Sequence, residues 1–144
     1  GTSVSGVRVS AACLESFHAI KTMHALSYVI FRINQDFTEI VEDTRGGLDA
    51  SHDTFLVALP PHEPRYCVID HKYTNADNCS FSKLAFVLWV PDTSSIKNKM
   101  IYASSKGFLK NALDGIAVDI EVTELSEISL DVLRERVCEG LTRR

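Results

Sequence analysis

No apolar run in this 144-residue chain is long enough to span a bilayer. The opening residues, Gly1 to Ser5, are small and polar with no apolar stretch behind them, so no secretory signal is read. Excess positive charge is missing too. The net charge of −4 argues against a nucleic-acid binder held mainly by phosphate contacts. The four cysteines, Cys13, Cys67, Cys79 and Cys138, form no CxxC pair and no zinc or disulfide spacing. Cys13 and Cys67 fall at apolar positions and read as buried free thiols, which implies a reducing, intracellular compartment. Enzyme templates are absent: there is no P-loop, GxGxxG, HExxH or GxSxG, and Gly46-Gly47 is a pair of turn glycines. The five histidines are scattered without ligand spacing, so neither a metal nor another cofactor is expected. A Cys67–His71 hydrolase pair would sit on one strand about 13 Å apart, too far for a hydrogen bond.

What remains is an ordinary single-domain composition, 45% hydrophobic and 24% charged. Residues up to about Val9 lack periodicity and read as a mobile arm. Ser10 can cap a helix from Ala11 in which Cys13, Phe17, Ile20 and His24 recur at helical spacing. Tyr28 to Asn34 reads as a central strand, apolar on both faces. Glu39 to Asp43 reads as its short partner, and Thr44 to Asp49 as a loop. Ser51 or Asp53 can cap a short helix through Phe55, Leu56 and Leu59, stopped by Pro60-Pro61. Arg65 to Tyr73 is a strand, Thr74 to Ser82 a projecting turn, and Lys83 to Val90 a second central strand. Thr93 or Ser94 caps a long helix, which Ser104-Ser105 could bend and Gly107 weaken. Ala117 to Val122 alternates as an edge strand does. Ser129 can cap a last helix with Leu130, Leu133, Val137 and Leu141 facing inward. The interleaving gives an α/β (α+β) fold: one mixed sheet with helices on both faces.

The long helix combines lysines with apolar residues behind Pro91. Ile96, Met100 and Ala103 recur along one side, as core residues would. Lys97 and Lys99 stand about 200° apart around the helix, so they would flank that seam. Such a seam also suits an apolar cleft with an acidic rim on a partner.

Pro91-Asp92 followed by Lys99-Met100-Ile101-Tyr102-Ala103-Ser104-Ser105-Lys106 resembles the PDxxxxxxKMxYASSK stretch of the actin-depolymerising factor/cofilin family. Ser5-Gly6-Val7 is similar to its N-terminal S-G-V. Leu59-Pro60, Arg65-Tyr66, Asp70 and Lys72-Tyr73 resemble its middle strands, and Glu124-Leu125-Ser126-Glu127 its tail. The likeness runs from about Ser5 to Val137. It implies a single domain over residues 1–144, with a five- to six-stranded sheet, a flexible arm at 1–6 and a flexible tail at 140–144.

The resemblance also implies a cytoplasmic, monomeric, non-catalytic protein of the actin cytoskeleton. It would bind ADP-actin monomers and filaments, depolymerising and severing the latter. The implied monomer face is Ser5, Gly6, Val7, Lys97, Lys99, Met100, Glu124 and Glu127, with Ser5 as a regulatory phosphorylation site. For Glu124 and Glu127 the plain alternative is support of a helix dipole. The implied filament face is Lys83, Arg134 and Arg136. There the family's usual basic positions are Phe81 and Glu139 here, so weak severing is expected. Phosphoinositides are implied partners, but the usual lysine-rich stretch is reduced to Lys21 with His24.

Overall fold

Strand pairing in the sheet runs β1-β3-β2-β4-β5-β6, and its connections decide where the functional side chains end up. The computed structural model describes residues 6–142, and side chains as far as residue 137. The elements are β1 (Arg8–Val9), α1 (Ala11–Lys21), β2 (Leu26–Ile33), β3 (Glu39–Gly47), α2 (His52–Ala58), β4 (Arg65–Thr74), β5 (Ser80–Trp89), α3 (Ile96–Ala112), β6 (Ile116–Val122), a 3-10 turn (Leu125–Ile128) and α4 (Leu130–Thr142). β1 pairs parallel with β3 and β6 parallel with β5, while the inner pairings are antiparallel. The mixed sheet with helices on both faces matches the sequence expectation.

Alternation along the strands builds two cores. Val29, Phe31, Tyr66, Val68, Phe86 and Leu88 pack with α1 and α3 on one face. Ile30, Cys67, Ile69, Val87 and Trp89 pack with α2, the 3-10 turn and α4 on the other. β2 and β5 are central, as their apolar runs predict. The Trp89 indole N–H reaches the Pro60 carbonyl at 2.7 Å.

Several expectations are corrected. The chain up to Val9 is not all arm: Val7 is fully buried, and Arg8–Val9 forms β1. The exposed edge of β3 supplies the reason, because Arg8 N–H bonds Thr38 O at 2.9 Å and Ser10 N–H bonds Ile40 O at 3.1 Å. The loop expected from Thr44 is strand as far as Gly47. Gly46 faces Tyr28 across the ladder, and a Cβ there would lie 2.1 Å from the tyrosine ring. The glycine makes room for an aromatic ring rather than a turn. Ser95, not Thr93 or Ser94, caps α3, accepting from Asn98 N–H at 3.1 Å.

α3 also runs unbroken through Ser104, Ser105 and Gly107. Ser104 bonds back to the Ile101 carbonyl, and Ser105 is buried. Tyr102, Ser105 and Leu109 clamp the helix to the sheet, which outweighs its weak interior residues. The Tyr102 hydroxyl accepts from the Ile33 N–H at 2.9 Å, and its carbonyl accepts from the Tyr66 hydroxyl. The β4–β5 hairpin extends further than expected, with pairing to Thr74 and Ser80. The carboxamide oxygen of Asn75 closes the turn by accepting from the N–H groups of Asp77 and Cys79. His24 falls beyond the end of α1, and Leu130 points outward. Leu141 lies outside the described side chains.

Candidate binding surfaces

α3 turns one stripe inward and another outward. Opposite the buried Tyr102, Ser105 and Leu109, Ile96 is 76% exposed and Met100 67% exposed. A core role for those two is thereby excluded. A shallow apolar groove is lined by Ile96, Lys97, Met100, Ile101 and Ser104. Ala103 is exposed beside it.

The lysines of α3 divide by position. Lys106 and Lys110 both grip Asp119 of β6, at 2.9 and 2.8 Å. Burial raises the Asp119 pKa, but the two lysines outweigh it and hold the carboxylate below its ordinary range. Lys97 and Lys99 make no ion pair among the described residues. The first turn of α3 carries no acid, so these cations stand at the helix end where the dipole disfavours them. An uncompensated arrangement of this kind is expected where a partner supplies the negative charge. Lys97 Nζ lies 4.4 Å from the centre of the Phe37 ring, a contact no sequence pattern signalled.

The other residues of the implied monomer face are placed differently. Gly6 is exposed with φ +84°, in the left-handed region that suits glycine. The Val7 side chain is buried, so it can anchor the arm but cannot touch a partner. Ser5 lies outside the described residues. Glu124 and Glu127 are exposed on the 3-10 turn. One Glu127 carboxylate oxygen accepts from Thr123 N–H (3.0 Å), Thr123 Oγ–H (3.1 Å) and Glu124 N–H (3.0 Å). These bonds, from Thr123 N–H foremost, hold Glu127 below its ordinary pKa. Glu127 therefore caps its own turn, a more local role than supporting the dipole of α4. Leu125, 42% exposed, stands between the two acids.

Lys83 of β5 lies opposite His71 of β4, and alternation puts both on the α4 face. Arg134 and Arg136 are exposed on α4, and Arg134 is loosely paired with Asp131 at 3.4 Å. A cleft of about 200 Å³ at this end is lined in part by His52, Phe55, His71, Leu133 and Arg134. Phe81, 44% exposed, stacks on Tyr73 at 5.5 Å, and Tyr73 stacks on His71 at 6.2 Å. The position where a cation would serve a charged patch is thus the end of an aromatic stack. The Glu139 side chain lies outside the described residues.

Neither member of the imagined hydrolase pair is equipped for chemistry. Cys67 is fully buried and its thiol is pushed far up by burial, so no thiolate is available. Burial, with Arg134 and His52 nearby, holds His71 below its ordinary value. Among the described residues, no helix is long and apolar enough to cross a membrane, and no three His, Cys, Asp or Glu are placed to hold a metal ion.

Known proteins resemble this chain in sequence and fold. Residues 6–138 match the family described as cofilin/tropomyosin-type actin-binding protein. The chain is 39% identical over 134 residues to actin-depolymerizing factor 1 of Oryza sativa subsp. japonica, covering 93% of this chain and 96% of that one. It is 42% identical over 139 residues to the cofilin of Yarrowia lipolytica, covering 96% and 90%. Among solved structures, a Streptomyces griseoflavus cofilin superposes with a TM-score of 0.87 at 38% identity, covering 94% of this chain and 99% of that one. By sequence and by fold, then, the chain belongs to the actin-depolymerising factor/cofilin family of actin-binding proteins, which regulate actin by binding it and are not enzymes.

Proposed function

We propose that this protein binds actin monomers, with ADP-actin preferred, through the N-terminal half of α3. The observation that carries this is the exposed Ile96–Met100 seam flanked by Lys97 and Lys99, which make no ion pair among the described residues. Burial of the seam supplies free energy, and the lysines supply orientation toward an acidic rim. Gly6 and Ser5 belong to the same actin contact in this reading, and the buried Val7 side chain fixes the chain after Gly6. Glu124 and Glu127 border the face, and Glu127 acts chiefly by shaping the turn. Phosphate on Ser5 would add about −1.5 to −2 charge next to an acidic partner and switch binding off.

Filament binding runs through Lys83, Arg134 and Arg136 on the opposite face. Its action is differential: binding favours one filament twist and one nucleotide state, and the filament loses subunits or breaks. Phe81 in place of a cation, and Asp131 beside Arg134, weaken a charge-based grip. Each missing exposed contact costs about 0.2–1 kcal/mol. Severing is accordingly modest, and a mainly monomer-sequestering, nucleotide-exchange role is the second reading. Phosphoinositides would compete with actin for the basic patches. The protein works as a monomer in the cytoplasm, on the actin cytoskeleton.

The test replaces Lys97 and Lys99 together by Glu and measures affinity for fluorescent actin monomers. The reading expects a large loss, and unchanged affinity overturns it. Cosedimentation with single-filament imaging separates the two roles. Severing as strong as that of a member basic at both positions would overturn the weakened-patch argument.

A further inference from the structure

The β2–β3 turn carries a residue that neither periodicity nor family likeness singles out. Asn34 shapes this turn: its side-chain oxygen accepts from Thr38 N–H at 2.9 Å and Glu39 N–H at 3.2 Å, and its carbonyl accepts from Phe37 N–H at 3.0 Å. Phe37 itself sits at φ +58°, a left-handed conformation unfavourable for a bulky residue. Its ring packs partly into the α1/α3-side core and lies 4.4 Å from Lys97 Nζ. The turn cannot drift from the helix, because the Tyr102 hydroxyl of α3 holds the Ile33 N–H at the end of β2.

We infer that Phe37 is a positioning residue for actin binding: its ring holds the Lys97 ammonium in place while leaving the charge unneutralised. This rests on the reading that the N-terminal half of α3 meets actin. A carboxylate in the same place would fix the lysine equally well but cancel its charge. An aromatic face attracts the cation through its quadrupole and leaves the N–H groups free to donate. A lysine that is already held loses less rotamer freedom when a partner binds it. The strained backbone at Phe37 is the expected accompaniment of a residue retained for such a role.

The experiment compares Phe37→Leu, Phe37→Tyr, Lys97→Gln and the Phe37→Leu/Lys97→Gln double variant. Leucine keeps the apolar packing and removes the aromatic face. Thermal melts establish that each variant is folded. Phe37→Leu should weaken actin-monomer binding about two- to five-fold, the scale of an exposed cation–π contact. Phe37→Tyr should restore it, and Phe37→Leu should have no further effect once Lys97 is Gln. Nuclear magnetic resonance of the free protein gives a readout that needs no actin. The Lys97 ε-methylene protons should be shifted upfield by the ring, and Phe37→Leu should abolish the shift.

An equal loss from Phe37→Leu in both backgrounds overturns the inference, because the ring would then act through packing or direct contact. An absent ring shift, or unchanged affinity for Phe37→Leu where Lys97→Gln weakens binding, overturns it as well. If Lys97→Gln alone leaves affinity unchanged, the actin-facing reading of Lys97 fails and the positioning role falls with it. The ring shift would then report only on the contact.

Discussion

Met100→Ala on α3 separates binding from folding. Met100 is 67% exposed in the free protein, so truncating it removes little from the core. Alanine is also at least as good a helix former as methionine. The melting temperature should therefore stay within about a degree or two of the parent, or rise slightly. Against actin the arithmetic differs. Fully burying a methionine side chain is worth about 1.5–3 kcal/mol, and roughly two-thirds of that area is still available to bury. The loss on truncation is then about 1–2 kcal/mol, or roughly 5- to 30-fold in dissociation constant. Titration of labelled actin monomers, with circular-dichroism melts on the same samples, measures both quantities. Leu109→Ala, fully buried on the same helix, is the opposite control, with an expected stability cost of about 2–5 kcal/mol. The reasoning is refuted if Met100→Ala lowers stability as a core truncation does, or if affinity is unaltered.

Tyr102→Phe leaves the buried Ile33 N–H without its partner and should cost about 1–3 kcal/mol in urea unfolding; a neutral result would mean another acceptor replaces the hydroxyl. Asp119→Asn should cost about 1 kcal/mol near pH 7, since two partly exposed ion pairs are lost. The folded protein holds Asp119 below its ordinary pKa, so its contribution is full above the unfolded value and vanishes as pH falls through the lower, folded value. The gap between the two proteins should therefore begin to close below about pH 4 and be gone once the folded carboxylate is protonated, and a gap that does not shrink in acid would contradict the ion-pair account. In a Cys138→Ser background, a thiol reagent should label exposed Cys79 and spare Cys67 and Cys13, whose thiol burial pushes up to about 11; native-state labelling of Cys67 would contradict its burial.

The central strands and α3 were legible because their signals are local. An unbroken apolar run such as Leu84 to Trp89 has no arrangement except one buried on both faces. β1 and the far half of β3 were not legible. Val7 is buried because β3 offers a free edge some thirty residues later in the chain, and nothing between Gly6 and Val9 announces that. Gly46 read as a turn because its partner, the Tyr28 ring, is distant in sequence. Within the binding surface, the Ile96–Met100 seam was visible as a periodicity, but its direction was not. A helical stripe reads the same whether it faces a core or a partner, and only the second stripe, Tyr102, Ser105 and Leu109, settles which is inside. Phe37 was invisible because a turn residue has no period, and its contact with Lys97 exists only after the sheet has formed.

α3 is also the connection that carries the chain from β5 to its parallel neighbour β6. Parallel neighbours need a crossover of this kind, so the sheet cannot close without the helix. No deletion can remove the partner-facing element and spare the architecture. Freedom to vary is confined to one flank of a single cylinder: changes at Ile96, Lys97 and Met100 leave the inward stripe untouched. Affinity for the partner can therefore drift or be redesigned in steps of one side chain, while the helix that displays it stays under the strict selection of a core element.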